Sequence, residues 1–311
     1  MKSHRIIFLG TPDFSVPSLI ALYQSEHQVP LVITQPDRPK GRGKKLQASP
    51  VKQKALELGL NIFQPQSIND PESISQINTF HPDFLVVVAF GQLLKKSVLD
   101  IPRNGVLNVH PSILPKYRGP APIQWAIIHG CSNTGISIMQ LDEGLDTGDI
   151  LQIESVEIDP EETAGMLHDR LAIQGAKLLL QTINQLVENT ITPEKQDHTQ
   201  ATYARLLKKQ DGRIDWNQSS QSIINLIRGM TPWPGAFTFI DNKRIKIFKA
   251  TNVDVSDTVA PGTILNSFPD ELWISTGDGA ISIHEIQSAS GKRMHIADFL
   301  RGSKIVSGLK I

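Results

Sequence analysis

Short apolar runs alternate with amphipathic stretches along the first half of the chain. Four runs predict strands and two segments predict helices: Arg5–Leu9, Val29–Thr34, Phe84–Phe90 and Gly105–His110 for the strands, and residues 15–25 and 50–59 for the helices. The run at Phe84–Phe90 is apolar on both faces, which is typical of a parallel strand that helices cover on both sides. Strands that alternate with helices predict an open α/β sheet.

The pattern changes in the second half. Residues 163–187 predict one long helix, and residues 188–202 are polar without a clear period. Closely spaced strand candidates follow, interrupted by one helix predicted over residues 219–229: Gly212–Trp216, Ala236–Ile240, Arg244–Ala250, Thr263–Leu265, Glu271–Thr276 and Ala280–Ile286. Such strands predict a small β-barrel of about 100 residues. We therefore expect an α/β domain over residues 1–189, a linker over 190–207 and a β-barrel domain over 208–311.

The composition is that of an ordinary globular protein, with 40% apolar and 20% charged residues in a chain of 311. A single cysteine, Cys131, excludes an internal disulfide framework and fits a reducing cytoplasm. No apolar run approaches the ~20 residues that span a bilayer, and the apolar stretch near the N-terminus is too short for a signal peptide. We expect a cytoplasmic protein without a membrane partner.

Charge is balanced over the whole chain but not along it. The formal net charge is zero, from 31 basic and 31 acidic residues. Residues 1–54 hold nine Lys and Arg against three Asp and Glu, and five of the eight residues in Arg38–Lys45 are basic. Residues 142–162 hold nine acidic residues and no basic one. The basic segment is either a solvated loop or a local binding site for a polyanion.

The segment Asn108–Pro115 (NVHPSILP) offers the clearest candidates for chemistry. Asn108 and His110 lie two residues apart near the end of a predicted strand, so their side chains point to the same face. Open α/β sheets place their ligands at the carboxyl ends of such strands. An amide donor and an imidazole could stabilise an oxyanion on a carbonyl under attack. The alternative is that both side chains only satisfy the backbone of the following loop.

A second candidate is the acidic loop Leu141–Asp149 (LDEGLDTGD). One of its carboxylates could orient an imidazole. The loop lacks the DxDxDG spacing of a calcium loop, so we expect no metal here. A solvated turn is the alternative. The chain has no GxGxxG after its first strand, and no GxxxxGK[ST], HExxH or GxSxG motif, which leaves the corresponding nucleotide, zinc and hydrolase sites without support.

Together with Asp146, the segment Asn108–Pro115 resembles the catalytic signature of the formyltetrahydrofolate-dependent transferases. Further blocks are similar to the members of this family that act on an aminoacyl-tRNA: Phe8–Phe14, Gln35–Pro39, Gly41–Lys45, Tyr117–Gly119, Ala121–Trp125, Leu145–Asp149 and Asp211–Trp216. As a set these blocks are highly specific. One departure is Pro111, where many members have Gly. The resemblance implies a Rossmann-like formyltransferase domain followed by an OB-like β-barrel that contributes to tRNA binding.

The resemblance also implies an activity. The formyl group of 10-formyltetrahydrofolate, a cosubstrate, would pass to the α-amino group of methionine on initiator methionyl-tRNA, for translation initiation. Asn108 and His110 would stabilise the oxyanion that forms when the amine attacks the formyl carbon. Asp146 would hold and polarise His110 and help to relay protons. No metal is implied at the catalytic site.

Two binding regions are implied as well. The folate site would consist of ten residues: Phe90, Gly91, Gln92, Leu93, Ser112, Ile113, Leu114, Pro115, Asp142 and Gly144. The tRNA site would combine the basic loop, which enters the acceptor stem, with one C-terminal strand: Arg38, Lys40, Arg42, Lys44, Lys45, Lys246 and Lys249. Arg42 is the residue we expect to matter most. Ordinary core packing is the alternative for Phe90–Leu93, and we expect a monomer.

Three rival interpretations stay open. The same chemistry could act on a small amine, either glycinamide ribonucleotide or a sugar-nucleotide amine, but this would leave the basic loop and the β-domain unexplained. The same donor site could hydrolyse formyltetrahydrofolate with water as the acceptor. The third interpretation is a non-catalytic RNA-binding protein, but it would not explain the presence of Asn108, His110 and Asp146.

Overall fold

A computed structural model describes residues 3–40, 45–255, 259–267, 270–289, 291–303 and 305–311. Its strands are β1 (Arg5–Gly10), β2 (Gln28–Ile33), β3 (Arg38–Lys40), β4 (Lys45–Gln47), β5 (Ile62–Phe63), β6 (Phe84–Val88), β7 (Val106–His110), β8 (Asn133–Gln140), β9 (Ile150–Glu157), β10 (Ala236–Ile240), β11 (Lys243–Val253), β12 (Ile264–Asn266), β13 (Leu272–Ser275), β14 (Ala280–Ser288) and β15 (Met294–His295). Its helices are α1 (Val16–Gln24), α2 (Pro50–Glu57), α3 (Pro71–Thr79), α4 (Lys96–Leu99), α5 (Pro122–Ile128), α6 (Ala164–Val187), α7 (Ser220–Gly229) and α8 (Ile296–Arg301). Within these described ranges, no helix has the length and apolar character to cross a membrane.

The chain forms two compact units whose segments alternate along the sequence. Unit 1 consists of Met1–Gly119, Thr134–Glu157 and His168–Ala204. Unit 2 consists of Pro120–Asn133, Ile158–Leu167 and Arg205–Ile311.

Unit 1 is built on a seven-stranded sheet in the order β5-β2-β1-β6-β7-β8-β9. The first five strands in this order run parallel, and β8 pairs antiparallel with β7. Both β6 (FLVVV) and β7 (VLNVH) are buried along their full length, as central strands of an α/β sheet are. The predicted open α/β sheet is confirmed, and its ligand edge is the one at the carboxyl ends of the parallel strands.

Helix starts follow the local signals in the sequence. Helix α2 begins at Pro50, and the Oγ of Ser49 accepts a hydrogen bond from the backbone N of Lys52 at 3.1 Å. Helix α7 begins in the same way, because Ser219 accepts from the backbone N of Ser222 at 3.1 Å. A serine at this position satisfies an amide that the first turn leaves without a partner.

Unit 2 contains an antiparallel half-barrel sheet in the order β10-β11-β14-β13-β12, with β15 paired to β14. Its apolar core includes Trp216, Ile227, Ile245, Ile274 and Ile281, all nearly inaccessible to solvent. The prediction of a second, β-rich domain is therefore confirmed.

The predicted strand at Gly212–Trp216 is wrong. Residues Lys209–Gly212 form a 3₁₀ turn, and Arg213 makes only an isolated bridge to Phe237. The carboxylate of Asp211 closes this turn, since it accepts from the backbone N of Lys208 at 2.7 Å. The apolar residues that suggested a strand are buried for another reason: Trp216 packs into the core of unit 2.

Candidate active site

Strand β7 carries Asn108 and His110 to the carboxyl edge of the sheet in unit 1. Both residues are buried, with 8% and 4% of their surface exposed. Asn108 lies opposite Met139 of β8, and His110 lies opposite Ser137. Alternation along the strand turns the amide and the imidazole to the same face. Among the described residues the side-chain amide of Asn108 has no hydrogen-bond partner, so its N–H groups can donate to a ligand.

The ring of His110 lies between a carbonyl and a carboxylate. Its Nε2 is 3.0 Å from the carbonyl oxygen of Tyr117. A carbonyl only accepts, so Nε2 carries a proton in this contact. The Nδ1 atom is 3.7 Å from Oδ2 of Asp146, which is an ion-pair distance when the imidazole is doubly protonated. The predicted pairing of His110 with Asp146 is present in the geometry of unit 1.

Asp146 is held in an unusual backbone conformation. Its φ is +54°, in the left-handed region that Asp tolerates better than most residues. Its Oδ2 accepts a hydrogen bond from the backbone N of Gly119 at 2.7 Å. Nearby, a Cβ at Gly148 would lie 1.9 Å from the carbonyl oxygen of Gln140, so the turn requires glycine there. The acidic loop is therefore a shaped turn that points one carboxylate at His110.

The predicted folate segment Phe90–Leu93 follows β6 as an irregular loop. Phe90 is buried at 2% exposure, while Leu93 is 69% exposed. The φ of Gly91 is +88°, a conformation that favours glycine. In the part of the chain that the structure describes, the backbone N–H groups of Gly91, Gln92 and Leu93 donate to no protein acceptor. They are available to a ligand.

The side chain of Gln92 serves the protein itself. Its Oε1 accepts from the backbone N of Ile68 at 2.8 Å, and its Nε2 donates to Gln66 O at 3.2 Å. A folate role for Gln92 therefore rests on its backbone.

The predicted folate residues Ser112, Ile113, Leu114 and Pro115 form the turn after β7. Ser112 is fully buried, and its Oγ donates to the carbonyl of Lys116 at 2.6 Å. Leu114 is buried, Ile113 and Pro115 are half-buried, and the Leu114–Pro115 peptide bond is cis. The Ser112 hydroxyl is occupied within the turn, so this segment offers a ligand mainly shape and apolar surface.

Asp142 and Gly144, the last two predicted folate residues, lie in the exposed part of the acidic loop. The Oδ1 of Asp142 accepts from the backbone N of Gly144 at 3.0 Å and from the Oγ1 of Thr147 at 2.7 Å. Asp142 thus stabilises the loop that carries Asp146. In the described ranges, no group of three or more His, Cys, Asp or Glu side chains could hold a metal ion.

The basic loop begins and ends as a two-stranded hairpin. Strands β3 and β4 pair so that Arg38 lies opposite Gln47 and Lys40 lies opposite Lys45. Arg38 is exposed. The two remaining predicted tRNA residues of this loop, Arg42 and Lys44, lie outside the described residues.

The base of this hairpin is anchored by Asp37. Its carboxylate accepts from Gln64 Nε2 at 2.9 Å and from Lys52 Nζ at 2.6 Å. These hydrogen bonds, the one from Gln64 first, hold the pKa of Asp37 below its usual value. The hairpin therefore starts from a fixed point on unit 1.

Lys246 and Lys249 lie on strand β11 of unit 2. A bulge in the pairing with β14 places Lys246 opposite Gln287 and Lys249 opposite Glu285, so both lysines are on one face. Lys249 is exposed, and its Nζ is 3.5 Å from the carboxylate of Glu161. Lys246 is half-buried and donates to the carbonyl of Pro234 at 2.8 Å. Partial burial, with Arg244 and Lys209 nearby, lowers the pKa of Lys246.

The formyl transferase family matches residues 4–183, and the formyl transferase C-terminal domain matches residues 206–304. The chain belongs to the formyl transferase family. It is 47% identical to a methionyl-tRNA formyltransferase from Geobacter metallireducens over 311 residues, covering 100% of this chain and 99% of the relative. It is also 47% identical to a methionyl-tRNA formyltransferase from Alkaliphilus oremlandii over 304 residues, covering 98% of each.

Two solved structures share the fold at low identity. An N-formyltransferase from Helicobacter canadensis, in complex with folinic acid and dTDP-3-aminofucose, has a TM-score of 0.68 at 19% identity and covers 94% of this chain and 100% of that one. HypX from Aquifex aeolicus, in complex with tetrahydrofolic acid, has a TM-score of 0.65 at 17% identity and covers 96% of this chain and 47% of that one.

Proposed function

We propose that this chain transfers the formyl group of 10-formyltetrahydrofolate to the α-amino group of methionine on initiator methionyl-tRNA. The product, N-formylmethionyl-tRNA, serves translation initiation. One observation carries the proposal: Asn108, His110 and Asp146 lie together at the ligand edge of the sheet, in a chain that matches methionyl-tRNA formyltransferases over its full length. The similarity supports the acceptor, and the three polar side chains support the chemistry.

The donor supplies an electrophilic formyl carbon and a nitrogen leaving group. Asn108 donates a hydrogen bond to the formyl oxygen as negative charge develops on it. His110 offers its Nε2 proton once the ligand replaces the Tyr117 carbonyl as its partner. The carboxylate of Asp146 stabilises positive charge on the imidazole.

The proton balance follows from the bonds that change. The attacking amine forms a C–N bond to the formyl carbon and loses a proton, while the bond from that carbon to N10 of the folate breaks. Asp146 and water carry the proton to N10. Because the nucleophile belongs to the acceptor, no covalent intermediate on the enzyme is needed.

The folate site that we propose is formed by the loop after β6, the turn after β7 and the acidic loop. The N–H groups of Gly91, Gln92 and Leu93 donate to no acceptor among the described residues, and the exposed side chain of Leu93 offers apolar surface in the same loop. Phe90 is buried in the apolar core of unit 1 and supports this loop from within. This combination suits a flat, polar-edged ring such as a pterin, which needs apolar contact on its faces and hydrogen bonds at its rim.

The tRNA site that we propose has two parts, each described within its own unit. In unit 1 the exposed Arg38, at the base of the hairpin of β3 and β4, contacts the phosphates of the acceptor stem, and the proposal includes the basic residues that follow it in the sequence. In unit 2 the bulge in β11 collects Lys246 and Lys249 on one face. Arginine and lysine side chains are the usual partners of nucleic-acid phosphates.

The remaining expectations belong to the same proposal. We take the domains as residues 1–189 and 208–311 with a linker over 190–207, which the two family matches support. We also propose a monomer in the cytoplasm.

Replacement of His110 tests the proposed chemistry. We expect His110→Ala to lower kcat for formylation of methionyl initiator tRNA by at least ~100-fold, because an oxyanion donor is worth about that much. Circular dichroism and thermal melting would establish that the variant folds. Turnover near that of the wild type in a folded variant would contradict the assignment.

A further inference from the structure

Residues 196–204 follow the long helix α6 and run alongside the segment Tyr117–Gly119. The backbone N of Arg118 donates to Thr202 O at 2.8 Å, and the backbone N of Ala204 donates to Arg118 O at 2.7 Å. Gly119 has a φ of +110°, and a Cβ there would lie 2.9 Å from Ala204 O. Part of the polar stretch that the sequence predicts as a linker therefore packs against the segment whose Gly119 N donates to the carboxylate of Asp146.

Arg118 is a buried charge without an acidic partner. Only 2% of the residue is exposed, and among the described residues no carboxylate forms an ion pair with it. Its guanidinium donates to Gln196 Oε1 from Nε at 3.1 Å and from Nη2 at 2.6 Å, and Nη2 also contacts His198 Nδ1 at 3.1 Å. A buried guanidinium needs such acceptors, because an unsatisfied charge is costly.

This contact fixes the orientation of the Gln196 amide. Its Oε1 must face the guanidinium, which only donates, so its NH₂ group faces the opposite way. There Nε2 donates one hydrogen to Asp146 O at 2.9 Å and the other to Gly148 O at 2.7 Å. Gln196 itself is only 6% exposed. Both N–H groups of this amide therefore serve the turn that carries Asp146, while its oxygen serves Arg118.

We propose that Gln196 is a positioning residue for the carboxylate of Asp146, an inference that rests on the function proposed above. The two hydrogen bonds from Gln196 hold the left-handed backbone of Asp146. The backbone N of Gly119, the residue after Arg118, holds its Oδ2 at 2.7 Å. Arg118 orients the amide of Gln196, and the amide orients the turn. The carboxylate is thereby kept 3.7 Å from Nδ1 of His110.

Two substitutions at Gln196 separate positioning from stability. Gln196→Ala removes both the acceptor for Arg118 and the donor to the turn. Gln196→Glu keeps an acceptor for the guanidinium but places an oxygen where the NH₂ group donated. We expect Gln196→Glu to melt at a higher temperature than Gln196→Ala. We expect both variants to lower kcat by about 10- to 100-fold, the usual effect of removing a partner that orients a reacting side chain.

The matched control is Gln200→Ala. Gln200 lies in the same segment and is exposed, and its side chain donates to Asp197 Oδ2 at 2.8 Å, on the surface and away from the turn that carries Asp146. We expect its kcat to equal that of the wild type, and we expect KM for the donor and for tRNA to change little in all three variants. A purely structural role for Gln196 would not predict this separation of kcat from KM.

A double-mutant cycle with Asp146→Asn gives the decisive result. If Gln196 acts through the carboxylate, Gln196→Ala costs much less in the Asp146→Asn background than in the wild type, as single-turnover rates would show. The same fold-loss in both backgrounds, or wild-type kcat in Gln196→Ala, would overturn the positioning role alone. Near-wild-type turnover of Asp146→Asn by itself would instead refute the role of Asp146 in the proposed function, and the positioning role with it.

Discussion

Asp146→Asn removes one charge from the candidate site and changes little else. The asparagine has nearly the same shape, and its Oδ1 can still accept the hydrogen bond that Gly119 N donates to Asp146. What is lost is the attraction between the carboxylate and a protonated His110, together with the proton transfer to N10 that we assign to the same carboxylate. The electrostatic loss alone sets the smallest effect that we expect.

The geometry sets the size of that loss. Two unit charges 3.7 Å apart attract by about 4 kcal/mol at an effective dielectric constant of about 20. The two side chains are only 6% and 14% exposed, so solvent screens them weakly. The hydrogen bond from Gly119 N also stabilises the carboxylate charge and so weakens its attraction to His110. We therefore expect the substitution to raise the activation free energy by about 2–4 kcal/mol. Since about 1.4 kcal/mol is a tenfold change, kcat falls by about 30- to 1,000-fold.

The assay is steady-state formylation of methionyl initiator tRNA, with KM measured for the donor and for the tRNA. The same exchange at Asp149 is the matched control, because that carboxylate lies in the same loop and makes no hydrogen bond within the described residues. We expect Asp149→Asn to retain its turnover. A folded Asp146→Asn variant with the kcat of the wild type would show that the carboxylate does not assist His110.

Two further predictions concern the acidic turn and the basic loop. Gly148→Ala should destabilise the protein by about 1–3 kcal/mol and lower kcat, because the new Cβ would lie 1.9 Å from Gln140 O. Thermal melting checks this against Gly302→Ala, whose Cβ would meet nothing nearer than 3.9 Å, and equal melting temperatures for the two would contradict it. Arg42→Leu should reduce kcat/KM for tRNA far more than it weakens donor binding, because an arginine grips phosphate by two hydrogen bonds. Equal losses in both measurements would count against a tRNA role for Arg42.

The central strands could be predicted because their environment is simple. A continuous apolar run such as Phe84–Val88 is stable only when both faces are covered, so its pattern is sufficient. The strand ends at Val88 rather than at Phe90 because Ala89 has a φ of +46°, outside the β region. Strand β9 was not predicted, since the acidic residues from 142 to 162 favour a solvated segment. Strand β9 follows β8 after a nine-residue loop and lies at the edge of the sheet beside it, so only two of its eight residues are buried and its apolar pattern is weak.

The residues of the candidate site also differ in how far the sequence predicts them. Asn108 and His110 could be predicted together because a strand alone places residues i and i+2 on one face. The nearness of Asp146 to His110 required a resemblance, since 36 residues separate them in the sequence. Gln196 carries no sequence signal at all: it lies in a polar stretch without period, and its partners are 50 and 78 residues away. Buried polar networks of this kind form only when the chain has folded.

A comparison of three acceptors in parallel assays tests the central claim most directly. The enzyme would be supplied with 10-formyltetrahydrofolate and, in parallel, with methionyl initiator tRNA, glycinamide ribonucleotide, or water alone. We predict rapid formylation of the methionyl-tRNA and little turnover with the other two acceptors. Turnover with the small amine or with water, and none with the tRNA, would leave the chemistry of Asn108, His110 and Asp146 in place and contradict the proposed acceptor.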